Sequence, residues 1–250
     1  MIETITSTTN KKAQHIKSLL KNKPYRYEHR QFVVEGVNIV KDIPQDVGFE
    51  LYYTAARYSS VQDLIKRARA SYELSERVMD SVCDTVTPSG MLAVADMKEE
   101  RDSFGDRAIL LDGISDPGNM GTIIRTAVAL GIEDVLTVNS VDVYSPKVVR
   151  SSMGGIFNAS VTSVSYEKAL ELIRDHNVYI LDMNGENVFD RNFTANNEKF
   201  VLAVGSESRG VSDVMRNRAD RVLSLPMSEK IESLNAGVSL TAALYRILYL

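Results

Sequence analysis

Three loops hold the residues of this 250-residue chain whose types and spacing could do chemistry. The first spans residues 112–121 and runs into Thr122, Arg125 and Thr126. Asn119 or Gly118 is placed to cap a helix there, Gly121 permits close backbone approach, and Arg125 lies within two turns of the loop mouth. The spacing is neither the dinucleotide-binding G-x-G-x-x-G nor the phosphate-cradling G-K-[ST]. The same residues equally describe a strand–helix turn with a surface arginine. The second loop, residues 204–212, has Gly205, Ser206, Ser208 and Gly210 exposing backbone donors, with the Glu207 carboxylate among them. Its simpler reading is a polar turn in which Ser212 caps the next helix. The third, residues 225–238, ends with polar Ser233 and Asn235 at the start of an otherwise apolar helix. Capping alone accounts for that pair.

These loops need a scaffold, and the apolar patterning supplies one. Residues 108–111, 134–138, 178–182, 200–204 and 221–225 read as strands, with helices from the first loop to Leu130 and over 166–175 and 211–219. Near-continuous apolar strands alternating with helices predict a largely parallel sheet covered on both faces. Ligands in such a sheet sit at the carboxyl ends of the strands, where all three loops fall. Upstream, the pattern predicts a helix over 11–22 stopped by Pro24, then strands at 31–35 and 51–54, and a helix over 61–70. A short strand at 72–74, a helix over 76–82 and a strand at 91–95 complete it. The charged, glycine-containing stretch between them reads as a linker. The expected organisation is a smaller α/β domain over 1–97, a linker over 98–106 and a second domain over 107–250.

Composition narrows the function. The 29 basic and 33 acidic residues give a net charge of −4, which excludes a globally basic nucleic-acid coat. Residues 1–30 nevertheless hold seven Lys/Arg against two Glu. A single cysteine, Cys83, excludes an intrachain disulfide and a cysteine zinc site. The three histidines (His15, His29, His176) lack metal-ligand spacing and read as surface residues, so no metal is expected. No apolar run reaches the ~18 residues of a membrane span, and residues 1–10 do not read as a secretory signal. A cytoplasmic location is expected.

Taken together, the three loops resemble the three motifs of the SpoU/TrmH family, SPOUT-class RNA 2′-O-ribose methyltransferases. Asn119, Gly121, Arg125 and Thr126 match the first motif, N-x-G-x-x-x-R-T. Gly205, Glu207 and Gly210 match G-x-E-x-x-G. Pro226 and Met227, followed by Ser233, Leu234 and Asn235, match the third. Residues 145–157, with Arg150, resemble the family's run between motifs one and two. The stretch from Phe32 to Gly36, with Glu35, resembles the F-x-V-E-G of an N-terminal RNA substrate-binding domain. Two departures stand out: Ala236-Gly237 where Val-Ser is usual after S-L-N, and Ser208 in place of a commoner glycine.

The resemblance implies a trefoil-knotted C-terminal domain, S-adenosylmethionine as cofactor, a homodimer, and methyl transfer to a ribose 2′-OH, with ribosomal RNA favoured over tRNA. It makes Asn119, Arg125, Glu207, Ser233 and Asn235 the catalytic set, and Gly205, Leu225, Met227, Leu234 and Asn235 the cofactor-binding set. Arginine stays protonated, so Arg125 suits a phosphate and a developing alkoxide better than a proton-accepting role. Lys11, Lys12, Arg26, Arg30, Glu35 and Arg150 become the RNA-binding candidates. The competing readings are a non-catalytic RNA-binding protein that keeps the fold, which would be expected to lose a motif residue, and a nicotinamide enzyme, which the absent glycine fingerprint disfavours.

Overall fold

Apolar strands and amphipathic helices alternate along the chain. The computed structural model describes residues 3–99, 104–195, 198–228 and 230–249. In chain order the elements are β1 (Glu3–Ile5), α1 (Lys11–Lys21), α2 (Lys23–His29), β2 (Gln31–Glu35), α3 (Val37–Lys41), β3 (Phe49–Thr54), α4 (Gln62–Arg67), β4 (Ala70–Leu74), α5 (Glu76–Ser81) and β5 (Met91–Asp96). There follow β6 (Arg107–Asp112), α6 (Pro117–Ala129), β7 (Asp134–Val138), α7 (Pro146–Ser151), β8 (Ser160–Ser163), α8 (Tyr166–Leu172), β9 (Asn177–Asn187), β10 (Phe200–Gly205), α9 (Asp213–Arg218), β11 (Arg221–Ser224) and α10 (Ala236–Tyr249). They group into two compact units, Met1–Glu99 with Tyr144–Phe157, and Glu100–Val143 with Asn158–Leu250. Residues 144–157, placed with the second domain on sequence, thus group with the first. Residues 100–103 of the expected linker, Glu229 of the third loop and Leu250 lie outside the described residues.

The first unit is built on a mixed sheet in the order β1-β4-β3-β5-β2, with β5 antiparallel to both neighbours. Ala13, Ile16 and Leu19 of α1 and Val78 and Met79 of α5 fill its core against Val33, Tyr52 and Val94. The first helix ends at Lys21, before Pro24 as expected, but Pro24 belongs to a further helix that the sequence pattern did not show. Pro24 sits in the first turn of α2, where no backbone donor is needed, while the Asn22 side chain caps that helix by accepting from the Tyr25 N–H. Phe32 packs against Tyr144 and Phe157, with ring centroids 4.8 and 6.0 Å away, which ties 144–157 to this unit. Cys83 packs at the edge of the core, and burial pushes its thiol up to about 12.

The second unit carries a six-stranded sheet, β11-β9-β10-β6-β7-β8, in which every pairing is parallel. One face packs Leu110, Leu136, Ile180 and Ala203 against Ala169 and Ile173 of the α8 segment and Met215 of α9. The alternate residues Ile109, Leu111, Val135 and Leu202 are equally buried and point the other way, as strand geometry requires. Gly205 pairs with Asp112 and Asp112 with Val138, so β10, β6 and β7 end level with one another. His176 is buried rather than at the surface; its Nε2 meets the Gly105 carbonyl at 2.9 Å.

On the first unit's sheet, Glu50 takes the Lys12 ammonium at 2.8 Å and the Tyr52 hydroxyl. Burial raises the Glu50 carboxyl, but those two bonds outweigh it and hold it below the usual carboxylate range. The stability it adds is present above the unfolded value of about 4.3 and is lost as pH falls through the lower folded value. Urea titrations over this acid range are therefore expected to show a shallower pH dependence for Glu50→Gln than for the wild type. Identical slopes would remove Glu50 from the acid response.

Candidate active site

The helix start after β6 is fixed by Asp116, whose Oδ1 accepts from the Asn119 N–H at 2.8 Å, with Pro117 in the first turn. Neither Asn119 nor Gly118 is the cap. That leaves the Asn119 side chain free to reach across the site. Its Nδ2 donates to Glu207 Oε1 of the second loop. Its Oδ1 accepts from Asn235 Nδ2 of the third loop at 2.7 Å. Asn235 Oδ1 in turn accepts from the backbone N–H groups of Gly237 and Val238 at 3.0 and 3.2 Å. Asn235 is therefore a helix cap and a site residue at once. The three loops are joined by one directional chain of hydrogen bonds, running from the positive end of α10 to the Glu207 carboxylate.

Below this relay lies a cleft of about 320 Å³. Val204, Leu181, Leu223, Leu225, Met227 and Leu234 give it an apolar wall. Its polar lining includes Gly205, Glu207, Ser208, Arg209, Ser233 and Asp182, and Ala236 also lines it. Of the five expected cofactor-binding residues, Gly205, Leu225, Met227 and Leu234 line this cleft, while Asn235 takes part in the relay. The second loop folds back so tightly that a Cβ on Gly205 would stand 1.9 Å from the Gly210 backbone. Gly210 itself has φ +66°, and its N–H closes on the Ser206 carbonyl at 2.8 Å. The Ala236-Gly237 departure is accommodated: Ala236 is buried at the cleft, and a Cβ on Gly237 would press to 3.3 Å from Thr122 Cγ2, where α10 crosses α6.

Arg125 stands apart from the relay. It is six residues beyond Asn119, about 120° round the helix, exposed, and its guanidinium has no partner among the described residues. Glu207 is bonded to Asn119 and not to this arginine. Ser233 is exposed at the cleft rim.

Two acids of the site carried no role in the sequence reading. Asp112, 3% exposed, accepts from the Tyr166 hydroxyl and the Ser212 N–H, both at 2.7 Å, and so fixes the start of α9. Ser212 caps that helix, as its position suggested. Asp182 accepts from Arg216 at 2.6 Å and from the Asn184 N–H, and these bonds hold its carboxyl below the usual range. The signal for both was an acid at the end of an apolar strand.

The RNA-binding candidates separate into two groups. Lys11 and Arg30 are exposed. Arg30 adopts φ +51° and donates to the Lys98 carbonyl at 2.8 Å. Arg26 and Glu35, by contrast, are 4% and 5% exposed. Arg26 donates to the carbonyls of Leu19 and Leu20 at the end of α1, and Glu35 accepts from the Asp84 and Thr85 N–H groups and the Thr85 hydroxyl. Lys12 is engaged by Glu50, and Arg150 donates to Asp84 at 2.8 Å with Glu35 3.9 Å away. Arg26 and Glu35 present no charge at the surface; sequence alone does not separate a basic residue that caps a neighbouring helix from one that faces solvent.

A parallel α/β unit with this cleft and relay at its strand ends defines a SPOUT-class methyltransferase domain. The chain belongs to the SpoU rRNA Methylase family, whose profile matches residues 106–245, and residues 10–93 match an MRM3-like substrate binding domain. It is 28% identical over 97% of its length to the 23S rRNA (guanosine(2553)-2′-O)-methyltransferase RlmP of Bacillus subtilis, covering 98% of that protein. The AdoMet-bound rRNA methyltransferase of Sinorhizobium meliloti superposes with a TM-score of 0.84 at 25% identity, over 98% of this chain and 97% of that one. The SpoU methyltransferase AviRb of Streptomyces viridochromogenes, in complex with AdoMet, gives 0.82 at 27% identity over 95% and 96%.

Gly205→Ala forces its Cβ into the Gly210 backbone. It is expected to cost about 1–3 kcal/mol in urea unfolding and to open the second loop. An unchanged unfolding midpoint would show that the loop can move aside.

Proposed function

We propose that this protein transfers a methyl group from S-adenosylmethionine to a ribose 2′-OH of ribosomal RNA. The observation that carries this reading is the Asn235–Asn119–Glu207 relay, which fixes Glu207 in the lining of a cleft whose apolar wall and closely packed glycine loop suit an adenosine-sized ligand. When bound, the cofactor supplies an electrophilic methyl group on a sulfonium. Leu225, Met227 and Leu234 hold its apolar parts, and the backbone groups around Gly205 and Leu225 bind its polar edges. Because the sulfonium is already activated, the protein's work is placement of the hydroxyl and of charge. Ser233 and Asn235 position the 2′-OH. Asn119 is fixed between Glu207 and Asn235, so it presents one orientation only. Arg125, permanently cationic, holds the neighbouring phosphate and stabilises negative charge growing on the 2′-oxygen. The hydroxyl proton leaves to a phosphate oxygen or water.

Several finer features belong to the same reading. The substrate-binding part is residues 1–97 together with 144–157, which group with them, and it contacts RNA through Lys11 and Arg30. The C-terminal segment leading to α10 forms the trefoil knot. The protein acts in the cytoplasm as a homodimer. Val238, Tyr245 and Tyr249 are 54%, 51% and 63% exposed along one stripe of α10, an apolar face suited to a second copy. Arg125, without a partner among the described residues, then serves the neighbouring protomer's site.

Calorimetry without RNA is expected to show saturable S-adenosylmethionine binding, weakened about tenfold in Asn235→Ala. Arg125→Ala should bind the cofactor normally but lose labelled-methyl transfer to protein-free ribosomal RNA by 10²-fold or more, about 2.7 kcal/mol. Absence of cofactor binding by the wild type, with and without RNA, would overturn the proposal. In sedimentation, Tyr245→Glu is expected to shift a dimer to monomers; a monomeric wild type would remove the two-protomer arrangement.

A further inference from the structure

The first unit carries an aromatic stack outside the cleft, built on an i, i+4 pair of α2 whose inner ring, Tyr25, packs against the core. His29, the last residue of α2, lies flat on Tyr25, with centroids 3.9 Å apart and 26° between planes. Its Nδ1 donates to the Tyr25 carbonyl at 3.0 Å, which fixes the ring's position. Tyr25 is anchored from beneath. Its hydroxyl meets His15 Nδ1 at 2.9 Å, while His15 Nε2 meets the Gln31 side chain at 3.0 Å. The His15 ring also lies 5.6 Å from Tyr25 and 5.4 Å from His29. His29 is exposed all the same. Burial does not explain a stack whose outermost ring faces solvent. The arrangement holds one flat π face rigid and open.

Its helical surroundings are cationic, and the two acids that reach the base of the stack from the sheet, Glu50 and Asp96, are engaged by Lys12 and Arg69. Lys11 lies one turn before His15 on the same face of α1, exposed, and its ammonium has no partner among the described residues. Lys21 and Lys23 are exposed at the junction of α1 and α2. Glu28 is the one acid of the two helices and lies about 100° round α2 from His29.

We infer that the open face of His29, backed by Tyr25, is a stacking site for an unpaired base of the RNA, with Lys11 placed for that nucleotide's phosphate. Unpaired bases are read by stacking on aromatic and imidazole rings, and phosphates by free cations. The inference rests on the reading of this chain as an RNA methyltransferase and names where the substrate is held outside the catalytic cleft. Preorganisation is the advantage of this site: the ring is already fixed before the base arrives.

The test is fluorescence anisotropy with labelled single-stranded oligoadenylate, set against an abasic oligonucleotide of the same length, on the full chain. The wild type is expected to prefer the base-bearing strand. His29→Ala should weaken its binding about tenfold and erase that preference, while His29→Phe restores both. Lys11→Ala should weaken both strands alike and reduce the salt dependence. Wild-type binding that His29→Ala leaves unchanged, or a loss that His29→Phe does not rescue, overturns the stacking site alone. A wild type that binds neither strand overturns the RNA-binding reading and the site with it. Cofactor affinity, which His29 does not touch, should be the same in all variants.

Discussion

The site depends on one side chain facing two ways. Asn119 has a donor and an acceptor on the same amide, and each is claimed by a different loop. A carboxamide is the group that can donate to Glu207 and accept from Asn235 in a single rotamer. Aspartate would place two carboxylates together, and serine could not span the gap. The position of Asn119 is set in turn by Asp116, which takes the capping role and frees the amide. Everything at the mouth of the cleft inherits its register from this arrangement. The Glu207 loop is tied to α6, and α6 is tied to the start of α10.

The parallel sheet makes that convergence possible. Strands β6 and β10 run side by side with Gly205 opposite Asp112, so the loops that follow them emerge at one level. Asp112 then reaches from the end of β6 to Tyr166 and Ser212, bracing the helices on the other face of the sheet. The glycine contact between 205 and 210 lets the second loop turn back on itself above the strand end. Steric absence at Gly205 and electrostatic complementarity at Asn119 are thus two halves of one design: the first shapes the cavity, and the second locks its rim.

Much of this was legible in the sequence. The continuous apolar strands declared a parallel sheet, and the three polar loops declared their strand ends. Less legible were the elements that carry no apolar alternation. β1 and β8 are short, polar edge strands whose pairing comes from a neighbour, and α2 has in its first turn a proline that reads as a stop when its cap, Asn22, goes unnoticed. Among the site residues, Asn119, Glu207 and Asn235 converge while Arg125 stands apart, and the fate of each charge depended on tertiary surroundings. Arg26 and Lys11 are alike in sequence. One is buried on helix carbonyls and the other is free, because Arg26 faces the end of α1 and Lys11 faces water. Periodicity reports which face of a helix is apolar. It does not report which neighbouring carbonyls a long side chain will find.

The grouping of Tyr144–Phe157 with the N-terminal residues has a consequence in time. A chain emerging from the ribosome presents residues 3–99 first, complete in strands but lacking the aromatic cover that Tyr144 and Phe157 place over Phe32. That apolar surface stays bare until β6, α6 and β7 have also been synthesised. The N-terminal body therefore completes its packing only once residues 144–157 have been made, well after its own strands.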